Sequence, residues 1–167
     1  MTQIEIIKDN FSQSLRELIL CYSNTEPDLV ADSAPPSAAE ITAIVGLGDE
    51  HLRASVAVSV TEADAVVLAG DLVADPKDWI GELSNQLAGR FKNKLSVFGL
   101  YPSLSTPTVI QGRDMKVSSP AASHIEFNVN TKDVNLQARL TVEVDAGLEL
   151  VEDQSAAIMM EGALELF

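Results

Sequence analysis

Two stretches of strict alternation constrain this chain most. Leu52, Ala54, Val56, Val58 and Val60 are interleaved with more polar residues, and so are Leu136, Ala138, Leu140, Val142 and Val144. A side-chain period of two puts each apolar set on one face, the pattern of half-buried strands in a sheet with one covered side. Gly48-Asp49-Glu50 makes a β-hairpin of 41–47 and 52–60, and Thr131-Lys132-Asp133 pairs 123–130 with 134–144. Further extended stretches are expected at 4–7, 95–100 and 106–111.

Between the strands the apolar period changes to that of a helix. Phe11, Leu15, Leu18, Ile19 and Tyr22 predict a helix over 10–22. Thr61, followed three residues later by Asp64, caps a second helix running to about Val73, with Ala65, Leu68 and Leu72 as its apolar stripe. Asp75-Pro76-Lys77-Asp78 is a strong start for a third, over 75–94. Asp75 caps it, Pro76 occupies a first-turn position where its missing N–H costs nothing, and Asp78 faces the positive end of the dipole. Helices early and central, with strands in hairpins, predict an α+β domain whose mainly antiparallel sheet packs against two or three helices. A single domain over 1–167 is expected, with a Pro- and Ser-containing loop at 23–39. Its acidic C-terminal segment, 145–167, is compatible with either helix or edge strand, and Leu164, Leu166 and Phe167 are expected to cover the core.

Composition narrows the function. A hydrophobic share of 46% excludes a wholly disordered chain, and a net charge of −14 makes nucleic acid and anionic membrane surfaces poor partners. The first nine residues lack a basic region followed by an apolar one, and the run Ala65–Ala69 is too short to span a bilayer, so a cytoplasmic protein is expected. Cys21, His51 and His124 fall in three different elements, so no metal site is expected and the histidines read as surface or loop residues beside a packed thiol. No Gly-x-Ser-x-Gly turn and no phosphate-binding Gly-x-x-x-x-Gly-Lys loop occurs. Gly46-Leu47-Gly48 lacks the third glycine of a dinucleotide fingerprint and reads as a turn.

The third helix carries the chemistry. At 3.6 residues per turn Ile80, Leu83, Leu87 and Phe91 share one side, while Asp78, Glu82, Asn85 and Gly89 share the opposite side within about 60°. Glu82 and Asn85 are neighbours that should face solvent. A carboxylate can bind a cation, and the carboxamide next to it can both donate to and accept from one water. Glu-x-x-Asn alone is also what an ordinary solvated face carries. Gly81 and Gly89 each cost about 1 kcal/mol relative to alanine inside a helix. Tight packing of a neighbouring helix, or close approach of a partner, would offset that cost.

Asp78-x-x-x-Glu82-x-x-Asn85-x-x-x-Gly89 resembles the signature helix of CheX-type proteins in the CheC/CheX/FliY chemotaxis phosphatase superfamily. The likeness continues through Gly81-Glu82-Leu83-Ser84-Asn85-Gln86-Leu87-Ala88-Gly89. It returns in Thr106-Pro107-Thr108-Val109-Ile110-Gln111-Gly112, similar to that family's Pro-Thr-Val-Ile-x-Gly strand. The order of elements over 4–144 also matches. A single Glu-x-x-Asn helix points to a CheX-like rather than a doubly motifed CheC-like member.

The resemblance implies hydrolysis of the aspartyl phosphate on a phosphorylated CheY-like response regulator. Glu82 would pair with the regulator's active-site lysine, and Asn85 would orient the attacking water. Asp78 and Gly89 would contact the partner. No cofactor is bound by the chain itself; Mg²⁺ is expected on the regulator's own carboxylates. Edge strands permit a homodimer, as family members often form. Two other readings stand beside this one. A non-catalytic interaction module would keep the fold and bind a signalling partner, and a small-molecule-binding domain has no supporting residues.

Overall fold

In the computed structural model, which describes residues 1–32, 39–72, 75–113, 117–120 and 123–152, seven antiparallel strands and three α-helices carry the described fold. The strands are β1 (Asp28–Ala31), β2 (Ile41–Gly48), β3 (Leu52–Val60), β4 (Ser103–Leu104), β5 (Thr108–Gln111), β6 (Ser123–Asn130) and β7 (Asn135–Val144). They run β1-β6-β7-β3-β2-β4, with β5 also paired to β2 beside β4. Both expected hairpins form. Register places Val45 opposite Val56, Val56 opposite Leu140, and Leu140 opposite Ile125. Paired residues share a face, so one apolar row crosses four strands and every second residue extends it.

That face is covered by α1 (Gln3–Ser23) and α3 (Pro76–Leu95), with α2 (Glu62–Ala69) packed beside α3. Phe11 of α1 lies edge-on to Phe91 of α3 at 5.5 Å between centroids, and 6.3 Å from Phe127 of β6, so three elements meet at one ring. Tyr22 approaches Trp79 while Glu17 reaches Lys94, so α1 and α3 run in opposite directions.

The structure corrects several local expectations. Residues 4–7 are not a strand but the first turns of α1. Thr2 and Glu5 form a reciprocal capping box there, and buried Ile7 continues the stripe Phe11, Leu15, Leu18. A short apolar run has no decisive period, and the cap settles it. The 23–39 loop contains β1, whose pairing with β6 covers that sheet edge; 33–38 lie outside the described residues. The second helix stops at Ala69 and is followed by a 3-10 turn, Gly70–Leu72; residue 73 and the side chain of Leu72 lie outside the described residues.

Residues 95–100 are not extended. Leu95 closes α3, Ser96–Phe98 form a 3-10 turn, and Gly99 at φ 75° reverses the chain. Gly46-Leu47-Gly48 is strand rather than turn. Gly46 exchanges hydrogen bonds with Ser105, its N–H donating to Oγ and its carbonyl accepting the Ser105 N–H, both at 2.9 Å. The true turn is made by Asp49, whose carboxylate accepts the N–H groups of His51 and Leu52 on one oxygen and of Tyr101 on the other. Leu148 and Leu150, in the 145–152 stretch, pack against the core; 153–167, including Leu164, Leu166 and Phe167, lie outside the described residues.

Candidate functional site

The third helix begins as its sequence dictates. Asp75 Oδ1 accepts the Lys77 N–H at 2.9 Å, Pro76 fills the first turn, and Lys92 and Lys94 complement the dipole at the far end. Ile80, Leu83, Leu87, Phe91 and Leu95 are buried against the sheet and α1. Ser84 lies among them and donates its hydroxyl to the Ala43 carbonyl of β2 at 3.3 Å, tying the helix to the sheet one residue before Asn85.

The opposite side carries the candidate residues. Asp78 and Glu82 are exposed, while Asn85 and Gly89 are half-buried. Asn85 is thus less open than its position on the helical wheel implies. Gly81 lies four residues earlier on the same side. Gly81 is buried, and a Cβ placed there would come 3.0 Å from Val109 Cγ2 and 3.8 Å from Pro107 Cβ. Where a neighbouring helix or a partner was expected to offset the cost of Gly81, the structure has Val109 of β5 and Pro107 just before it, close against the motif helix at Gly81. The two parts of the sequence resemblance therefore meet in space. Gly89 differs: nothing lies within 4 Å of a Cβ built there. Its missing side chain leaves open space on the face that carries Asn85.

Among the described residues the Asn85 carboxamide has no hydrogen-bond partner in the protein. Its amide is therefore not tied up by hydrogen bonds to other described residues. Glu82 is partly engaged. Gln86 Nε2 donates to its Oε1 at 2.9 Å, and Gln86 Oε1 accepts the Tyr22 hydroxyl at 2.6 Å. From sequence Tyr22 reads only as the end of the first helix's apolar stripe, where the structure leaves it exposed, and Gln86 only as part of the family-like run. Gln86 stands one turn after Glu82 and was legible as its i,i+4 partner, but Tyr22 arrives from another helix and left no local signal.

The three side chains considered as metal ligands lie apart in the fold. Cys21 lies on α1, His51 in the β2–β3 turn and His124 on β6, and among the described residues no group of three or more His, Cys, Asp or Glu is placed to hold a metal. Cys21 is not packed, however. Its thiol is exposed and accepts a hydrogen bond from Arg90 Nη2 at 3.6 Å. Among the described residues no helix is long and apolar enough to cross a membrane.

Three helices on a seven-stranded antiparallel sheet, with a polar side-chain pair on the third helix, make this a CheC-like α+β protein. Among solved structures it is similar to a CheC-like superfamily protein from Shewanella sp. PV-4, with a TM-score of 0.70, 17% identity, and coverage of 86% of this chain and 99% of that one. It is also similar to the CheX chain of a CheX–CheY–BeF3–Mg²⁺ complex from Borrelia burgdorferi, with a TM-score of 0.61, 21% identity, and coverage of 85% and 98%. Likenesses at such identities establish the fold.

The family follows from sequence: residues 41–128 match the model described as chemotaxis phosphatase CheX, and the chain belongs to that family. A curated relative, the CheY-P phosphatase CheX of Thermotoga maritima, is 45% identical over 40 residues. That match spans 24% of this chain and only about a quarter of the relative, 26%.

Proposed function

We propose that this chain is a cytoplasmic, single-domain phosphatase that hydrolyses the aspartyl phosphate of a CheY-like response regulator. The observation that carries the reading is the unpartnered Asn85 carboxamide beside Glu82 on a helix pinned to the sheet. The relative's activity on CheY-P and the Borrelia complex of CheX with CheY, BeF3 and Mg²⁺ support it.

The chemistry asks little of the protein. Water attacks phosphorus, the bond between phosphorus and the aspartyl oxygen breaks, and the electron pair leaves with the carboxylate. The products are free aspartate and inorganic phosphate, with the water's proton passing to phosphate or solvent. An acyl phosphate is already a good leaving group, so placing one water in line supplies much of the acceleration. Asn85 suits that task because its amide both donates and accepts at neutral pH without any shifted pKa. Glu82 provides the anchor for a lysine ammonium of the regulator. Mg²⁺ belongs to the regulator's own carboxylates. Asp78, one turn before Glu82, and Gly89, one turn after Asn85, complete the contact face.

Two substitutions separate these roles. With a BeF3-activated receiver as the binding probe, Asn85→Ala should bind within about twofold of the unsubstituted chain, because it removes the water-orienting amide and no ion pair. Glu82→Ala should weaken binding by about tenfold or more, the loss of a charge pair at a docked surface. Unchanged affinity in Glu82→Ala would reject its assignment as the anchor.

A further inference from the structure

The carboxylate of Glu82 sits at the end of a hydrogen-bond chain that starts on a different helix. Tyr22, on the last turn of α1, is 39% exposed, and its ring lies edge-on to Trp79 with centroids 5.0 Å apart and planes at 86°. Its hydroxyl lies 2.6 Å from Gln86 Oε1, and Gln86 Nε2 lies 2.9 Å from Glu82 Oε1. The direction of both bonds is forced. An ionised carboxylate only accepts, so the Gln86 NH₂ must face Glu82; its carbonyl then faces Tyr22, whose hydroxyl must donate.

We propose that Tyr22 and Gln86 are positioning residues that set the orientation of the Glu82 carboxylate before the regulator docks. The inference rests on the reading of Glu82 as the anchor for the regulator's lysine. Alone, an exposed Gln–Glu bond one turn apart on a helix is too weak to fix a side chain. Here the amide is gripped from its other end by a phenol whose ring is wedged against Trp79, and α1 is fastened to α3 by Phe11 on Phe91 and by Glu17 on Lys94 at 2.8 Å. The hydrogen bonds thus start at Tyr22 on α1, whose ring rests on Trp79 of α3, and run to Gln86 and Glu82 on α3. They occupy Oε1 of Glu82; among the described residues Oε2 has no protein donor and is left for the incoming cation. Ordering a side chain before association removes part of the entropy that docking must otherwise supply.

The test is the concentration dependence of receiver dephosphorylation, with a phosphorylated CheY-like receiver from the same organism as probe. Tyr22→Phe deletes the hydroxyl and keeps the ring on Trp79. It should raise the half-saturating concentration about three- to tenfold while the saturated rate stays within about twofold, since Asn85 is untouched. In a Glu82→Ala background the same substitution should have no effect, because nothing remains to be positioned. Gln86→Met, which keeps the length of the side chain and removes both bonds, repeats the test from the middle of the chain should Tyr22→Phe fold poorly. An unshifted half-saturation, or an equal shift with and without Glu82, overturns the inference while leaving the phosphatase reading intact. A chain that does not stimulate the receiver at all overturns both.

Discussion

At the residue scale, Gly89 and Asn85 make opposite demands on the same face. Gly89 costs its helix about 1 kcal/mol relative to alanine, and nothing within 4 Å would obstruct a methyl group there. Gly89→Ala should therefore stabilise the fold by about 1 kcal/mol, raising the melting temperature by roughly 2–4 °C. It should also raise the concentration of chain needed for half-maximal receiver dephosphorylation. Calorimetry and the kinetic titration together check it; a stabler variant with unchanged half-saturation would remove Gly89 from the contact face. The identities of Glu82 and Asn85, and their sharing of a face, were legible because a helical wheel needs only spacing. The burial of Gly81 beside them was not, since its cover comes from Pro107 and Val109, more than twenty residues further along.

At the scale of the element, caps decide where helices begin. Asp75→Ala should cost about 1 kcal/mol by freeing the Lys77 N–H at the start of α3, seen as a lower urea midpoint with an unchanged slope. The α1 cap carries a pH signature. Glu5 is held below its ordinary value of 4.5, first by the backbone N–H of Thr2 and then by the Thr2 hydroxyl. A carboxyl whose folded pKa is depressed adds stability above its unfolded value and loses it as pH falls through the folded one. The stability difference between the unsubstituted chain and Glu5→Gln should accordingly persist above about pH 4.5 and shrink below it. A difference constant through that range would mean the capping carboxylate is not formed in solution. The same cap explains why 4–7 misleads as a strand: Ile-Glu-Ile-Ile has no periodicity to distinguish the two, and the deciding bonds lie at Thr2 and Glu5. The hairpins were readable because alternation over nine or ten residues admits one register. β1 was not, being four mostly exposed residues that exist through pairing with β6.

At the scale of the whole molecule, the ring of Phe11 links α1, α3 and the sheet. Phe11→Ala should cost about 3–5 kcal/mol, and because α1 then loosens from α3, dephosphorylation should fall together with the folded fraction in a denaturant titration. Activity surviving where the near-ultraviolet signal of packing is lost would contradict that dependence. The α+β class, the antiparallel sheet and the third helix followed from patterning, and the motif on that helix from its resemblance to CheX-type proteins. The crossing that brings Tyr22 to Gln86 did not, because side chains 64 residues apart carry no mutual period.

The most direct measurement is the decay of a phosphorylated CheY-like receiver mixed with saturating amounts of this chain or of its Asn85→Ala variant. The account predicts accelerated release of inorganic phosphate with the unsubstituted chain, and decay at the receiver's own rate with the variant although it still binds. Equal acceleration by both would show that the Asn85 amide does not orient the water, and the mechanism given to this helix would be wrong.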